Sequence, residues 1–165
     1  MLKLLLTVVV ILALGKLASA ANVTGAEVLE YGVFAKVTSV GPRKDEGSVT
    51  GQVDQVPEAR LKEKTTTIEA ALGTSFGILV KVTGDPPGEL LNCSIRWIHP
   101  PLTNPVSGKT TERNEIQNQQ MIGRPQATGY TFENAWEMVP GKWTVQLVYN
   151  SKVIAEKTFD IVLAH

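Results

Sequence analysis

The stretch PGKWTVQLVYNSKVIAEKTFDIV, Pro140 to Val162, decides the fold class. Apolar and polar residues alternate on both sides of Asn150-Ser151, a pair typical of a tight turn. This alternation is typical of antiparallel strands with one face against a core and the other in water. Lys157 interrupts the second strand. The residues predicted to face the core are Trp143, Val145, Leu147, Tyr149, Val153, Ala155, Phe159 and Ile161.

The same period of two recurs in three other stretches, which are YGVFAKVTSV (31–40), TSFGILVKVTG (74–84) and ELLNCSIRWI (89–98). Helical spacing is weak, and TFENAWEMVPG (131–141) predicts at most a single turn. Short strands separated by Gly and Pro turns predict an all-β fold. We expect an immunoglobulin-like, two-sheet antiparallel β-sandwich of about seven or eight strands, although the second cysteine of true immunoglobulin domains is missing.

The first twenty residues, MLKLLLTVVVILALGKLASA, predict a signal peptide cleaved between Ala20 and Ala21. An N-terminal membrane anchor is the alternative, but the apolar run is shorter than a bilayer span of about 20 residues. We therefore expect an exported protein, periplasmic or extracellular, with no membrane span after cleavage. Residues 21–165 are expected to form one β-sandwich domain with a core at about 27–162.

Composition excludes several classes of protein. The chain has 43% hydrophobic residues and a formal net charge of zero, so neither disorder nor nucleic-acid binding is expected. Its one cysteine, Cys93, cannot form an internal disulfide. Alternation places Cys93 on the same face as Leu91, Ile95 and Trp97, which predicts a buried structural thiol. An intermolecular disulfide and a catalytic nucleophile are the alternatives.

Few residues have side chains in a pattern typical of catalysis or metal binding. Besides Cys93, His99 and His165 are the residues that could serve as transition-metal ligands or as the histidine base of a hydrolase, and their spacing fits no known metal or hydrolase motif. No glycine-rich phosphate loop occurs. Glu133 and Glu137 are four residues apart and are interpreted as a solvated acidic face. The sequence therefore predicts no cofactor, no metal site and no enzymatic activity.

Two stretches break the alternation, residues 41–67 and residues 99–129. The first is expected to be a charged loop that leads into a polar edge strand near Lys62–Ile68. The second has three prolines in its first seven residues, and an edge strand near Thr111–Gln117 with Ile116 as its apolar anchor is expected there. A connection this long is uncommon unless it contains a strand or serves a function. We interpret residues 99–129 as the working surface.

Five residues in and around this segment are the candidates for a binding surface: His99, Arg113, Glu115, Tyr130 and Trp136. Aromatic side chains with a polar group suit sites that have one apolar and one wet end. The alternatives are that Tyr130 and Trp136 close the open end of the sandwich and that His99 is a loop residue without a chemical role. Trp97 and Trp143 fit core positions by alternation.

Several motifs together resemble a secreted bacterial family, domain of unknown function 3859. They are EYG (30–32), TTTIEAALGTSFG (65–77), GDPPGE (84–89), HPPLTNPVSGKT (99–110), GYTFENAWEMVPGKW (129–143) and AEKTFDIV (155–162). Their order and spacing carry the resemblance, which covers about residues 27–162. The resemblance implies an exported, β-rich domain, and it supplies no established activity or site residue.

Three functions from different classes remain open at this stage. The first is an exported, non-enzymatic binding or accessory domain with an unknown protein or small-molecule partner in the envelope. The second is a structural or stress-related envelope protein that self-associates or docks to envelope components. The third is an enzyme with a dispersed carboxylate site.

Overall fold

The computed structural model describes residues 21–35, 42–44, 46–50, 52–54 and 59–163. Strands and one 3₁₀ turn, Ala135–Glu137, make up its regular structure. The strands in chain order are β1 (Asn22–Phe34), β2 (Pro42–Lys44), β3 (Gln52–Asp54), β4 (Leu61–Glu63), β5 (Thr67–Ala70), β6 (Ser75–Asp85), β7 (Leu90–Thr103), β8 (Thr110–Met121), β9 (Pro125–Thr131), β10 (Gly141–Tyr149) and β11 (Lys152–Leu163).

Two large sheets form the predicted β-sandwich. One has the order β4-β1-β6-β9 and the other has the order β5-β11-β10-β7-β8, while β2 and β3 form a small separate sheet. The two-sheet prediction is confirmed, with nine strands in the large sheets. One detail differs, since β5 pairs with β11 in parallel. Between β4 and β5 the chain crosses from the four-stranded to the five-stranded sheet through only three residues, 64–66. Because three residues are too few for the chain to reverse its direction, β5 continues in the direction of β4.

The C-terminal hairpin is as predicted. Asn150 and Ser151 both have positive φ, 47° and 63°, which two-residue turns of type I′ require. A bulge opposite Leu147 and Val148 shifts the register, so that Ile154 rather than Val153 packs against the core. Lys157 faces inward at the margin of the sandwich, and its Nζ lies 3.6 Å from the centroid of the Tyr31 ring on β1. The cation–π contact stabilises the Lys157 ammonium group at a position where the alternation of the strand would place an apolar residue.

The core lies between the two sheets and consists mainly of the residues predicted by alternation. Phe76 is at its centre, and its ring centroid lies 5.3–5.4 Å from those of Trp97, Phe132 and Phe159. Cys93 is buried among these apolar side chains, as predicted. The fully buried hydrophobic residues, with no exposed surface, are Ile68, Phe76, Ile78, Val80, Val82, Ile95, Leu102, Phe132, Trp143, Val145, Leu147 and Phe159.

Gly32 allows β4 to approach β1. Its φ is +138°, and a Cβ there would lie 2.0 Å from the carbonyl oxygen of Glu63. Only glycine fits this close contact between two backbones. The EYG motif therefore has a structural reason, which is the pairing of the short edge strand β4.

The segment 99–129 consists mostly of strands. β7 continues to Thr103 through a bulge at residues 99–101, where Pro100 and Pro101 lack the N–H groups that a regular ladder needs. The edge strand predicted near Thr111–Gln117 is confirmed as β8, and Ile116 packs against the core. The alternative that places His99 in a loop was wrong, because β7 includes it. Alternation continues past Trp97, so His99 also faces inward and is 4% exposed.

Candidate binding surface

The outer face of the five-stranded sheet carries a row of polar side chains that crosses four strands. Glu115 on β8 lies beside Arg96 on β7, followed by Gln146 on β10 and Glu156 on β11. Arg96 donates from Nε to Glu115 Oε2 at 2.9 Å and from Nη1 to Gln146 Oε1 at 3.2 Å. Gln146 Nε2 donates in turn to Glu156 Oε2 at 3.0 Å. We call these four residues the outer ladder.

Glu115 is the most heavily engaged member of the outer ladder. The Arg96 guanidinium, and after it that of Arg113, holds the pKa of Glu115 at about 2, below its usual value of 4.5. Ser94 also donates its hydroxyl to Glu115 Oε1 at 2.7 Å. Because several donors fix one carboxylate, the charged groups on this face have defined positions.

A shallow open depression adjoins the outer ladder near the β10–β11 turn. Its volume is about 190 Å³. Most of the groups around it are polar and can donate or accept hydrogen bonds. The lining residues are Asn92, Cys93, Ser94, Arg96, Glu115, Gln117, Val148, Asn150 and Ser151.

The Glu115 carboxylate is expected to stabilise the fold in a pH-dependent way. Its folded pKa lies below the unfolded value, so its contribution is present above pH 4.5 and is lost as pH falls towards 2. We expect Glu115→Gln to lower the free energy of unfolding at pH 7 by about 1 kcal/mol, because the group is partly exposed to solvent. The difference from wild type should shrink between pH 4.5 and 2. Urea denaturation at a series of pH values measures it.

The control is Glu112→Gln, which removes an exposed carboxylate from the same strand. Its effect on stability should stay small across the pH range. An equal loss of stability in the Glu115 and Glu112 variants at pH 7 would contradict the structural role of the Glu115 pairings.

A second polar group lies at one end of the sandwich, around the 3₁₀ turn. The Tyr130 hydroxyl donates to Glu137 Oε1 at 2.8 Å. The backbone N–H groups of Glu133 and Asn134 donate to Glu137 Oε2 at 2.8 and 2.6 Å. Burial, and then the neighbouring charge of Glu137, raise the pKa of Tyr130.

The interpretation of Glu133 and Glu137 as a solvated acidic face was wrong for Glu137, which is 1% exposed. Its side chain turns back onto the amide of Asn134 and so caps the 3₁₀ turn. Glu133 is exposed, as expected. The two carboxyl groups therefore lie in different environments and do not form one surface.

His99 occupies a position between the sheets. Its ring centroid lies 4.9 Å from that of Trp143, and Nδ1 lies 2.8 Å from the carbonyl oxygen of Pro100, so Nδ1 carries the proton of that hydrogen bond. Burial lowers the pKa of His99, although the Pro100 carbonyl partly opposes this. No described residue makes a well-formed hydrogen bond to Nε2, although the Asn114 side chain on β8 lies near the ring and also partly opposes the lowering of the pKa. The neutral imidazole is thus a buried packing group.

The structure separates the five predicted binding residues into two groups. Arg113 and Glu115 meet on the outer face of the five-stranded sheet. His99 and Tyr130 both contact Trp143 inside the sandwich, and Trp136 packs against the same core. The end-closing alternative therefore describes the position of Tyr130 and Trp136. Binding by any of the five stays a prediction.

Sequence reasoning missed four further members of the outer face, Ser94, Arg96, Gln146 and Glu156. The signal was present for the first three, since each is the polar residue between two core residues of a strand. Alternation places such residues on the outer face, but it does not say which residue of a neighbouring strand lies beside them.

Cys93 adds no reactive group, because burial raises the pKa of its thiol to about 11. Among the residues that the structure describes, no three His, Cys, Asp or Glu side chains are grouped closely enough to hold a metal ion. Within the same part of the chain, no helix has the length and hydropathy to cross a membrane.

The architecture defines the class of this protein as an immunoglobulin-like β-sandwich. A crystal structure of an immunoglobulin-like protein from Pseudomonas aeruginosa superimposes with a TM-score of 0.59 at 24% sequence identity. The match covers 87% of this chain and 98% of that one, and at this identity it shows the fold alone. No curated protein is significantly similar in sequence. Residues 22–161 match the model of the family described as domain of unknown function 3859, so the chain belongs to that family.

Proposed function

We propose that the protein is an exported, non-enzymatic binding or accessory domain of the bacterial periplasm or cell surface. Its binding surface is the outer ladder together with the adjoining depression. The observation that carries this proposal is the connected row of hydrogen bonds from Glu115 to Glu156, which fixes polar groups across four strands. A surface already fixed in this way loses little conformational freedom when a partner binds.

The surroundings of the potentially reactive groups support binding rather than catalysis. Both carboxylate oxygens of Glu137 accept hydrogen bonds from the protein itself. His99 faces the core, and the Cys93 thiol is held protonated by burial. These three groups are engaged in structure and are not poised for proton transfer.

The chemistry of the surface indicates the kind of partner. Arg96 and Arg113 are balanced by Glu115 and Glu156, so the surface has no excess of either charge. It therefore suits a partner in the envelope, a protein or a small molecule, that offers uncharged hydrogen-bonding groups. Export is supported by the pattern of residues 1–20, which lie outside the described residues, and by the small residues Ala20 and Ala21 at the cleavage site.

Site-specific crosslinking in living cells tests the proposal. A photo-crosslinking residue replaces Asn92, which is exposed and lines the depression, and in a matched control it replaces Glu30, exposed on the other sheet. We expect at least a tenfold higher yield of one crosslinked partner from position 92. Equal yields from the two positions would contradict the assignment of the surface. The mass of the protein recovered from the periplasm tests cleavage before Ala21.

A further inference from the structure

The two large sheets have four edge strands, and three of them are blunted. Proteins protect open strand edges because unpaired backbone groups recruit other strands. β4 and β5 are only three and four residues long, so each offers few backbone groups. β8 is twelve residues long and needs another form of protection.

Groups from elsewhere in the chain pair with the edge of β8. The N–H of Glu115 donates to the carbonyl oxygen of Gly47 at 3.2 Å. The Thr111 hydroxyl hydrogen bonds to both backbone groups of Arg113. It accepts from the N–H at 3.1 Å and donates to the carbonyl oxygen at 2.5 Å. These contacts occupy the first half of the edge.

The side-chain amide of Gln126 occupies the far end of β8. Its Oε1 accepts from the N–H of Met121 at 2.5 Å, and its Nε2 donates to the carbonyl oxygen of Gln119 at 3.2 Å. One side chain thus makes the pair of hydrogen bonds that a neighbouring strand would make. The long edge of the five-stranded sheet is therefore closed at both ends.

β9 has no such protection within the described part of the chain. Among the described strands, β6 alone pairs with it. The N–H of Phe132 donates to the carbonyl oxygen of Thr74, and the carbonyl oxygen of Phe132 accepts from the N–H of Gly73. The backbone N–H and C=O groups of Phe132, and of every second residue before it, therefore point towards β6. The backbone groups of Ala127, Gly129 and Thr131 point the other way, and no described residue hydrogen bonds to them.

The strand at this edge carries no formal charge. Residues 125–131, PQATGYT, contain no ionisable group apart from the Tyr130 hydroxyl, which is bound to Glu137. Gly129 lies opposite Gly77, and a Cβ on Gly77 would lie 2.1 Å from the carbonyl oxygen of Thr128. Because neither glycine carries a side chain, the centre of β9 is open to the close approach of another backbone.

We infer that β9 pairs with β9 of a second copy of this chain in antiparallel orientation. A two-fold axis at Gly129 places Gly129 opposite its own copy and Ala127 opposite Thr131 of the other copy. Each of these pairs exchanges two backbone hydrogen bonds, about six in all, and the two four-stranded sheets become one. The edge is complementary to itself, as two-fold interfaces require, and it carries no charge that would select a different partner.

Sedimentation equilibrium of the wild-type protein and two variants tests the inference. Ala127→Pro removes the outward N–H without removing a bond to β6, and Ala127→Ser keeps that N–H as a matched control. We expect a reversible dimer for wild type and Ala127→Ser, and at least a tenfold weaker dimer for Ala127→Pro. A wild-type protein that stays monomeric at high concentration would overturn the inference. This holds even if the β9 edge is then found to bind an extended peptide from another protein. A dimer unaffected by Ala127→Pro would overturn it as well.

Amide hydrogen exchange of the wild-type protein gives an answer that does not depend on the variants folding. The amides of Ala127, Gly129 and Thr131 should exchange at least tenfold more slowly in concentrated than in dilute solution. Equal exchange at both concentrations would overturn the inference. The β9 edge belongs to the four-stranded sheet and the outer ladder to the five-stranded sheet. A failure of the dimer inference therefore does not affect the proposed binding surface, and the reverse also holds.

Discussion

Replacing Phe76 by alanine is expected to lower the free energy of unfolding by about 3–5 kcal/mol. Phe76 has no exposed surface, and its ring packs against Trp97, Phe132 and Phe159 from both sheets. Truncation removes these contacts and leaves a cavity that the rigid strands cannot close. Urea denaturation followed by tryptophan fluorescence measures the change, since Trp97 and Trp143 both lie close to Phe76.

The control for this substitution is Leu72→Ala. Leu72 is also a large hydrophobic residue, but it is 62% exposed. Its truncation should change the free energy of unfolding by no more than about 0.5 kcal/mol. A loss from Phe76→Ala as small as that of the control would mean that the aromatic cluster does not hold the sheets together.

Replacing Glu137 by alanine is expected to cost about 3 kcal/mol, because several buried donors lose a charged acceptor. The Tyr130 hydroxyl and the amides of Glu133 and Asn134 would be left without it. Glu137→Gln keeps one oxygen acceptor and the same volume, so it should cost clearly less. Thermal and urea unfolding of the two variants measure the difference.

Glu89→Ala is the matched control, since Glu89 is an exposed glutamate in a turn. We expect almost no effect from it. If Glu137→Ala also leaves stability unchanged, Glu137 is not the organiser of this end of the sandwich, and a role in binding would have to be reconsidered.

The strands with one buried face could be predicted well from the sequence. In β6, Phe76, Ile78, Val80 and Val82 share one face and are all fully buried, while the residues between them are small or polar except for Leu79. Asn150-Ser151 likewise predicted the turn of the last hairpin, because both residue types tolerate positive φ. In these elements local pattern and tertiary packing agree.

The burial of Glu137 was harder to predict. Its spacing from Asn134 matches the capping-box pattern, which was an available signal. The partner Tyr130, however, lies on β9, and its position depends on how β9 pairs with β6. Carboxylates are rarely buried without partners, so the sequence alone favours an exposed side chain.

The candidate site was predictable only in part. Arg113 and Glu115 were singled out, but their neighbour Arg96 was not. The register between β7 and β8 depends on the bulge at residues 99–101, and no periodicity in the sequence specifies how many residues a bulge takes up. The free edge of β9 was also out of reach, because it is defined by strand order rather than by local pattern.

The position of β11 limits the order in which the five-stranded sheet can form. β11 is the last described strand in chain order, yet it lies between β10 and β5, and β5 belongs to the first half of the chain. The five-stranded sheet therefore cannot form progressively from the N-terminal side, and β5 has no partner in it until β11 is in place. Without β11, β5 would have no neighbour in this sheet and β10 would be paired with β7 alone, so the sheet is complete only when its last strand has joined it.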